Sequence, residues 1–147
     1  MGPFELAQRY LGVHEIAGKD DHPLIRWWLS LCFDGKLDVP DETPWCSAFV
    51  NGVAWELRLP RSKSARARSW LTVGLPVSLT DARPDDVVVF NRGGSKDPNV
   101  IQSPGHVAFF AGLEGDRVLV VGGNQSDGVT MGRFKQFDVL GARRIVG

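Results

Sequence analysis

Apolar residues in the first half of the chain recur at the spacing of amphipathic helices. Four positions separated by four residues each define one helix face: Trp45, Phe49, Val53 and Leu57. Similar patterns predict shorter helices over about 4–11, from Pro23 to residue 32, and up to residue 71. Gly12 and Gly74 follow two of these helices, where glycine commonly ends a helix.

In the second half, the apolar residues form short runs rich in valine, which favours strands. The predicted strands cover residues 87–90, 107–111, 118–121, 129–131 and 142–146. Short turns separate most of them, so antiparallel pairing is expected. Helices followed by strands indicate an α+β fold, with a helical part over about 3–73 and a sheet part over about 75–147.

Composition changes this picture little. The chain has 147 residues, of which 43% are hydrophobic and 23% charged, which indicates one soluble globular domain over 1–147. The 17 basic and 17 acidic residues balance, so no overall field favours nucleic acid or a membrane surface. No apolar run is long enough to span a membrane, and two cysteines do not make a disulfide framework.

Cys46 is the first candidate for chemistry. Thr43 is a candidate helix N-cap and Pro44 suits the first helical position, so Cys46 is expected in the first turn. Free N–H groups and the positive end of the helix dipole meet there, and together with an imidazolium they would lower the thiol pKa to about 6. The alternative is a buried, inert cysteine. Cys32 lies on an apolar helix face and is expected in the core.

His106 is the candidate base, because it opens a predicted strand and is the only histidine of the sheet half. A hairpin with its turn at 112–116 brings residue 106 near 122–124. Asn124 is therefore the first candidate to orient the imidazole, and Gln125 is the second. Alternatively, His106 only bonds a loop and Asn124 only forms a turn. His14 and Glu15 lie on a loop and either border a site or serve structure, whereas His22 is expected in solvent beside a helix start.

The segment after the Cys46 helix is basic. Five cations follow one another without an acid: Arg58, Arg61, Lys63, Arg66 and Arg68. Such a run is usually a solvated face, but its proximity to Cys46 also permits a polyanionic substrate. Four tryptophans, Trp27, Trp28, Trp55 and Trp70, either pack in the core or bind glycan.

Five segments, in this order, resemble the NlpC-type and CHAP cell-wall hydrolases: Pro44–Val50, Ala67–Leu71, Asp85–Phe90, Gly105–Phe109 and Gly122–Asp127. These families are papain-like cysteine peptidases and amidases of peptidoglycan, and the similarity runs from about residue 4 to 145. The resemblance, which is strongest to a compact subgroup of phage and bacterial proteins, implies a papain-like fold with N-terminal helices packed on a C-terminal antiparallel sheet.

The resemblance also implies roles for individual residues. Cys46 would be the nucleophile, His106 the base and Asn124 the third polar group, as in the CHAP pattern. The NlpC pattern often places its third residue nearer the histidine, where this chain has apolar residues 118–121. The segments that resemble these families also supply the expected substrate contacts: Trp45, Ser69, Trp70 and Gln125. No metal or cofactor is expected.

The expected function is hydrolysis of an amide bond in peptidoglycan, either within the stem peptide or between muramic acid and L-Ala, as in a phage endolysin. The alternatives are a non-catalytic wall-binding domain and a cysteine amidohydrolase or transferase that acts on protein. The expected partner is bacterial peptidoglycan, with no nucleic acid, no membrane insertion and a monomeric chain. The N-terminus lacks the features of a secretion signal, so we expect cytoplasmic synthesis and release to the wall through a pore or dedicated export.

Overall fold

A computed structural model describes residues 1–16, 22–33 and 44–147. The helices are α1 (Pro3–Arg9), α2 (Pro23–Ser30), α3 (Cys46–Glu56) and a 3₁₀ helix over Ala67–Thr72. The strands are β1 (Leu75–Val77), β2 (Val87–Asn91), β3 (Gly105–Glu114), β4 (Arg117–Gln125), β5 (Gly128–Lys135) and β6 (Val139–Arg144), with short 3₁₀ helices at Leu79–Asp81 and Gln136–Asp138. No helix in these ranges is long and apolar enough to cross a membrane.

The six strands form one sheet in the order β1-β6-β2-β3-β4-β5, and every neighbouring pair is antiparallel. The α+β fold and the antiparallel pairing predicted from the sequence are therefore confirmed. β1 escaped prediction because it has only three residues, one of them Pro76. The last strand covers residues 139–144 and was predicted at 142–146, so Ile145 and Val146 lie beyond its end.

The two faces of the sheet are both buried. One face packs on the helices through Val87, Val89, Val107, Phe109 and Val121. The other carries a second apolar cluster: Val88, Phe90, Ala108, Phe110, Val118, Val120 and Ala142. Alternation along β3 places His106 on the same face as Ala108, away from the helices.

Helix α3 begins at Cys46, with Trp45 at the N-cap, so Pro44 precedes the helix and does not occupy its first turn. Thr43, the predicted N-cap, lies outside the described residues. Two buried polar side chains of α3, Ser47 and Asn51, bond the helix to the segment that follows it. Ser47 Oγ donates to Ser64 O at 2.6 Å and accepts from Trp70 Nε1 at 3.0 Å, while Asn51 accepts from the Lys63 N–H at 2.9 Å. These bonds set the position of the first turn of α3.

The tryptophans mainly build the core. Trp28, Trp45 and Trp70 are fully buried, and Trp28 stacks on Trp45 with ring centroids 5.9 Å apart. Trp27 packs edge-on against Trp55, which is about half exposed. Burial therefore favours the packing interpretation over glycan binding for Trp28 and Trp70.

Arg68 is the largest departure from the predicted basic face, because its side chain is fully buried. Its guanidinium donates to five oxygen atoms: the carbonyls of Asp97, Val100, Ser95 and Pro104, and Asn91 Oδ1. Asn91 ends β2, and the other four residues belong to the segment that joins β2 to β3. Arg68 thus holds the loop that leads into β3, whereas Arg58, Lys63 and Arg66 are exposed.

Two neighbouring carboxylates before β2 join distant parts of the chain. Asp85 Oδ1 accepts from the Phe4 N–H at 2.9 Å and so caps α1. Asp86 is buried, and its two oxygens accept from Arg144 of β6, each at 2.9 Å. The pair Asp86–Arg144 ties the start of β2 to the end of β6.

Candidate active site

Cys46 is the first residue of α3, and its side chain is 5% exposed. The backbone N–H groups of Cys46, Ser47 and Val107 interact with its thiol. The first N–H groups of a helix have no partner within it, so they are available at this position. Because Val107 follows His106 in β3, the thiol lies beside the strand that carries the imidazole.

The environment of the thiol corrects the expectation of a thiolate. Burial raises the pKa of Cys46, and the backbone N–H groups of Val107 and Ser47 and the charge of Arg92 offset that effect only in part. The backbone N–H groups around the thiol are therefore not enough to outweigh desolvation. The resting side chain at neutral pH is a protonated thiol.

His106 pairs with Phe90 across the β2–β3 ladder and is 1% exposed. Its ring stacks on Phe134 with centroids 4.9 Å apart and lies 6.4 Å from the ring of Phe90. Desolvation by this apolar surround lowers the pKa of His106 to about 4, although the hydrogen bond to Gln125 opposes the shift. The imidazole is therefore neutral at pH 7.

The hydrogen bond of His106 determines which ring nitrogen is basic. His106 Nε2 lies 2.8 Å from Gln125 Oε1, and Gln125 Nε2 donates to Thr130 O at 2.8 Å. Since a carbonyl only accepts, the amide is oriented with its oxygen toward the ring, and His106 Nε2 must carry the proton. Among the described residues, the buried His106 Nδ1 has no hydrogen-bond partner, so its lone pair is free to accept a proton.

Asn124 was the first candidate to orient the imidazole, but the hydrogen bond to His106 is made by Gln125. The backbone explains why. Phe109 pairs with Val121, so a regular ladder sets residue 106 opposite residue 124. The β4–β5 register shifts between Gly122 and Gln125, and Asn124 has φ 58°. This bulge reverses the side-chain alternation and turns Gln125 toward His106.

Glycines make room for the amide. A Cβ at Gly122 would lie 2.6 Å from Gln125 Oε1, and one at Gly132 would lie 2.9 Å from Gln125 Nε2. Larger residues at either position would push the amide away from the imidazole. Gly122 and Gly132 are therefore packing requirements of the site.

The thiol faces a cleft of about 430 Å³, which we call the thiol cleft. Its lining residues are Pro44, Cys46, Ala65, Arg66, Ala67, Arg92, Gln102, Ser103, Pro104, Gly105 and Asn124. A neighbouring cavity of about 270 Å³ contains His106 and Gln125 and shares Arg92 and Asn124 with the cleft. Asn124 therefore faces the space beside the thiol, and Arg92 is a site residue that the sequence analysis missed.

The residues predicted to contact substrate are mostly covered. Trp45 and Trp70 are fully buried, and Ser69 donates its hydroxyl to Arg66 O at 2.6 Å. None of these three side chains lines the thiol cleft. Gln125 is 8% exposed and holds the imidazole, as described above.

The remaining candidates have structural contacts. Glu15 accepts from Trp45 Nε1 at 2.7 Å, His14 forms an isolated bridge with Gly128, and His22 caps α2 by accepting from the Leu24 N–H at 3.1 Å. Cys32 is partly buried and packs against the core, as predicted.

We expect His106 to make stability depend on pH. Its folded pKa of about 4 lies below the ordinary 6.5, so the unfolded chain binds more protons between these values. The free energy of unfolding is therefore unaffected by this group well above pH 6.5 and decreases as the pH falls. At pH 4.5 the decrease due to His106 should be about 2–3 kcal/mol. Urea unfolding at pH 7.5 and 4.5 measures it. His106→Gln removes the titrating group. Between pH 7.5 and 4.5 its free energy of unfolding should therefore fall by about 2 kcal/mol less than that of the wild type. Parallel losses in the two proteins would contradict this account.

Comparisons with known proteins agree with this architecture. The family model of the CHAP domain matches residues 38–124. Among solved structures, NlpC1 from Trichomonas vaginalis superposes with a TM-score of 0.57 at 16% sequence identity, covering 97% of this chain and 42% of that one. This chain therefore spans less than half the length of that structure. A comparison with curated proteins gave no match. Because the family model covers more than half of the chain, the chain belongs to the CHAP family and has the papain-like fold of NlpC-type proteins.

Proposed function

We propose that this protein is a cysteine hydrolase that cleaves an amide bond of peptidoglycan. Membership of the CHAP family supports that class of activity. The observation that carries the proposal is the arrangement of the site: Cys46 begins a helix beside β3, and His106 in β3 has its Nε2–H on Gln125 and its Nδ1 free.

In the first step, His106 Nδ1 accepts the thiol proton as the Cys46 sulfur attacks the amide carbonyl, which requires the imidazole to approach α3 from the other face of β3. The carbonyl oxygen becomes an oxyanion, for which free N–H groups at the start of α3 are the proposed donors. The imidazolium then protonates the leaving amine as the C–N bond breaks, which yields a thioester. Water, deprotonated by His106, attacks the thioester and releases the carboxylic acid and the thiol.

The resting pair is neutral in this scheme, so proton transfer and attack occur together. The low pKa of His106 makes its neutral form available well below pH 7. The same low pKa makes the imidazolium a strong acid toward the leaving amine, which suits amide cleavage.

Digestion of purified sacculi tests the proposal. We expect soluble fragments in which mass spectrometry finds one added water per cleaved amide and one new amine. The new amine identifies the bond, either within the stem peptide or at muramic acid. Iodoacetamide should block the release. Fragments with new reducing sugar ends and no new amine would reject an amide hydrolase.

We expect Gln125→Ala to lower kcat with little change in KM, because the amide fixes the imidazole and does not touch substrate. The loss should be smaller than the roughly 10²–10⁴-fold contributed by a general base. It should also be non-additive with His106→Ala, since without the ring Gln125 has nothing to orient.

Asn124→Ala is the informative comparison, because Asn124 lines the thiol cleft without holding His106. It should change KM more than kcat. Gln136→Ala, which removes an amide at the far end of the β3–β4 hairpin, is the matched control. Normal turnover in Gln125→Ala together with a crippled Asn124→Ala would return the orienting role to Asn124.

A further inference from the structure

The thiol cleft has an unbalanced charge. Two arginines, Arg66 and Arg92, line it beside Cys46, and no aspartate or glutamate of the described residues does so. The chain as a whole is neutral, so this imbalance is local. A cleft with two cations and no carboxylate is suited to a substrate that brings its own negative charge.

Each arginine is held in place by its backbone. Arg92 follows β2, and its N–H donates to Pro104 O at 3.4 Å, beside the start of β3. Arg66 precedes the 3₁₀ helix, its N–H donates to Ser64 Oγ at 3.1 Å, and its guanidinium donates to Gln102 O at 3.4 Å. The backbones are fixed while both side chains remain exposed.

Arg92 lies within electrostatic reach of both reactive groups. It lines the thiol cleft and also the cavity that contains His106. Its charge acts to lower the pKa of Cys46 and that of His106. An anion held by Arg92 is therefore held next to the reacting carbonyl.

Several arginines elsewhere have their charge or hydrogen bonds satisfied. Arg117 pairs with Asp116, Arg133 with Glu114 and Arg144 with Asp86. Within the described part of the chain, neither Arg66 nor Arg92 has an acidic partner. The Arg92 guanidinium can bind a carboxylate through two parallel N–H donors, and Arg66 keeps further donors beyond its bond to Gln102 O.

We propose that Arg92, assisted by Arg66, forms a subsite for a free carboxylate of the substrate next to the scissile amide. This proposal rests on the proposed peptidoglycan hydrolase function and specifies its substrate class. The enzyme selects stem peptides whose carboxylates are free over those in which they are amidated. Arg92 is the main determinant of that selection, because it contacts both halves of the site.

The test compares two muropeptide preparations that differ only in their carboxylates. One keeps them free, and the other is amidated with carbodiimide and ammonia. We expect kcat/KM of the wild type to be roughly tenfold or more higher for the free form, as one charge-assisted bond provides. Arg92→Gln should bring the ratio close to one by raising KM for the free form, with the amidated form little affected.

Two further variants assign the effect. Arg66→Gln should reduce the ratio less than Arg92→Gln does. Arg117→Gln removes a partly exposed arginine paired with Asp116 at the far hairpin turn, so it should leave the ratio unchanged. An equal fall of both rates in Arg92→Gln would mean that Arg92 acts only through its field on Cys46 and His106, which overturns the subsite.

A binding measurement separates this inference from the proposed function. Calorimetry with Cys46→Ala should show tighter binding of the free than of the amidated muropeptides, and Arg92→Gln in that background should remove the difference. If the wild type hydrolyses neither preparation, the proposed function fails. The calorimetric comparison of free and amidated muropeptides still tests the subsite. Equal binding of both preparations, or a preference that survives in both Arg66→Gln and Arg92→Gln, overturns it.

Discussion

Cys46→Ala is expected to abolish the hydrolysis of sacculi while the protein stays folded. The substitution removes the sulfur that forms the thioester in the proposed mechanism, and no hydroxyl or second thiol replaces it. Loss of a covalent nucleophile usually costs far more than a thousandfold in turnover, about 10⁶-fold where it has been measured. Turbidity of a sacculus suspension measures activity, and circular dichroism with a thermal melt measures folding.

Cys32→Ser is the matched control for this result. Cys32 packs against the core, and burial raises its thiol pKa to about 12, so it is a poor nucleophile. Its replacement should retain most of the activity and lose some stability, because a hydroxyl is placed among apolar residues. Full activity in a folded Cys46→Ala protein would remove Cys46 from the mechanism.

Arg68→Met should destabilise the fold by about 3–5 kcal/mol, the usual cost of removing one partner from a buried charged network. Methionine fills part of the volume but donates nothing. The carbonyls of Ser95 and Pro104, each within 2.8 Å of the guanidinium, would lose charge-assisted donors. Urea unfolding at pH 7 measures the change in the free energy of unfolding.

Arg68→Lys separates charge from geometry. Lysine keeps the positive charge but lacks the planar guanidinium that reaches several oxygens. Arg68→Lys should therefore be less stable than the wild type and more stable than Arg68→Met. Arg117→Met, on an exposed hairpin turn, should change stability by less than about 0.5 kcal/mol. A loss below about 1 kcal/mol in Arg68→Met would show that the loop holds itself without the guanidinium.

Local patterns were sufficient to place Cys46 at the start of a helix and His106 near the start of a strand. A four-residue apolar period fixes a helix whose start carries Cys46, and a valine-rich strand begins beside His106. Both signals lie within about ten residues of sequence. The α+β layout followed in the same way, because helical and strand patterns are segregated along the chain.

The remaining features depend on contacts that local patterns do not record. The choice between Asn124 and Gln125 depends on one bulge, which shifts the register by a single residue and reverses which side chain faces His106. Arg68 looked like part of a solvated basic run, because its partners lie 23–36 residues away. A helix start can be predicted from one segment of the sequence. The burial that raises the pKa of Cys46 comes from three-dimensional packing, which that segment does not reveal.

The position of β6 in the sheet imposes an order on folding. β6 is the last of the six described strands in sequence, yet it lies between β1 and β2. Cys46, His106 and Gln125 have all been made before it, but the sheet stays in two pieces until β6 inserts and Arg144 reaches Asp86. Contacts so distant in sequence form slowly. A chain still on the ribosome therefore carries Cys46, His106 and Gln125 before the sheet that aligns them is complete, so any activity of this site appears late in folding.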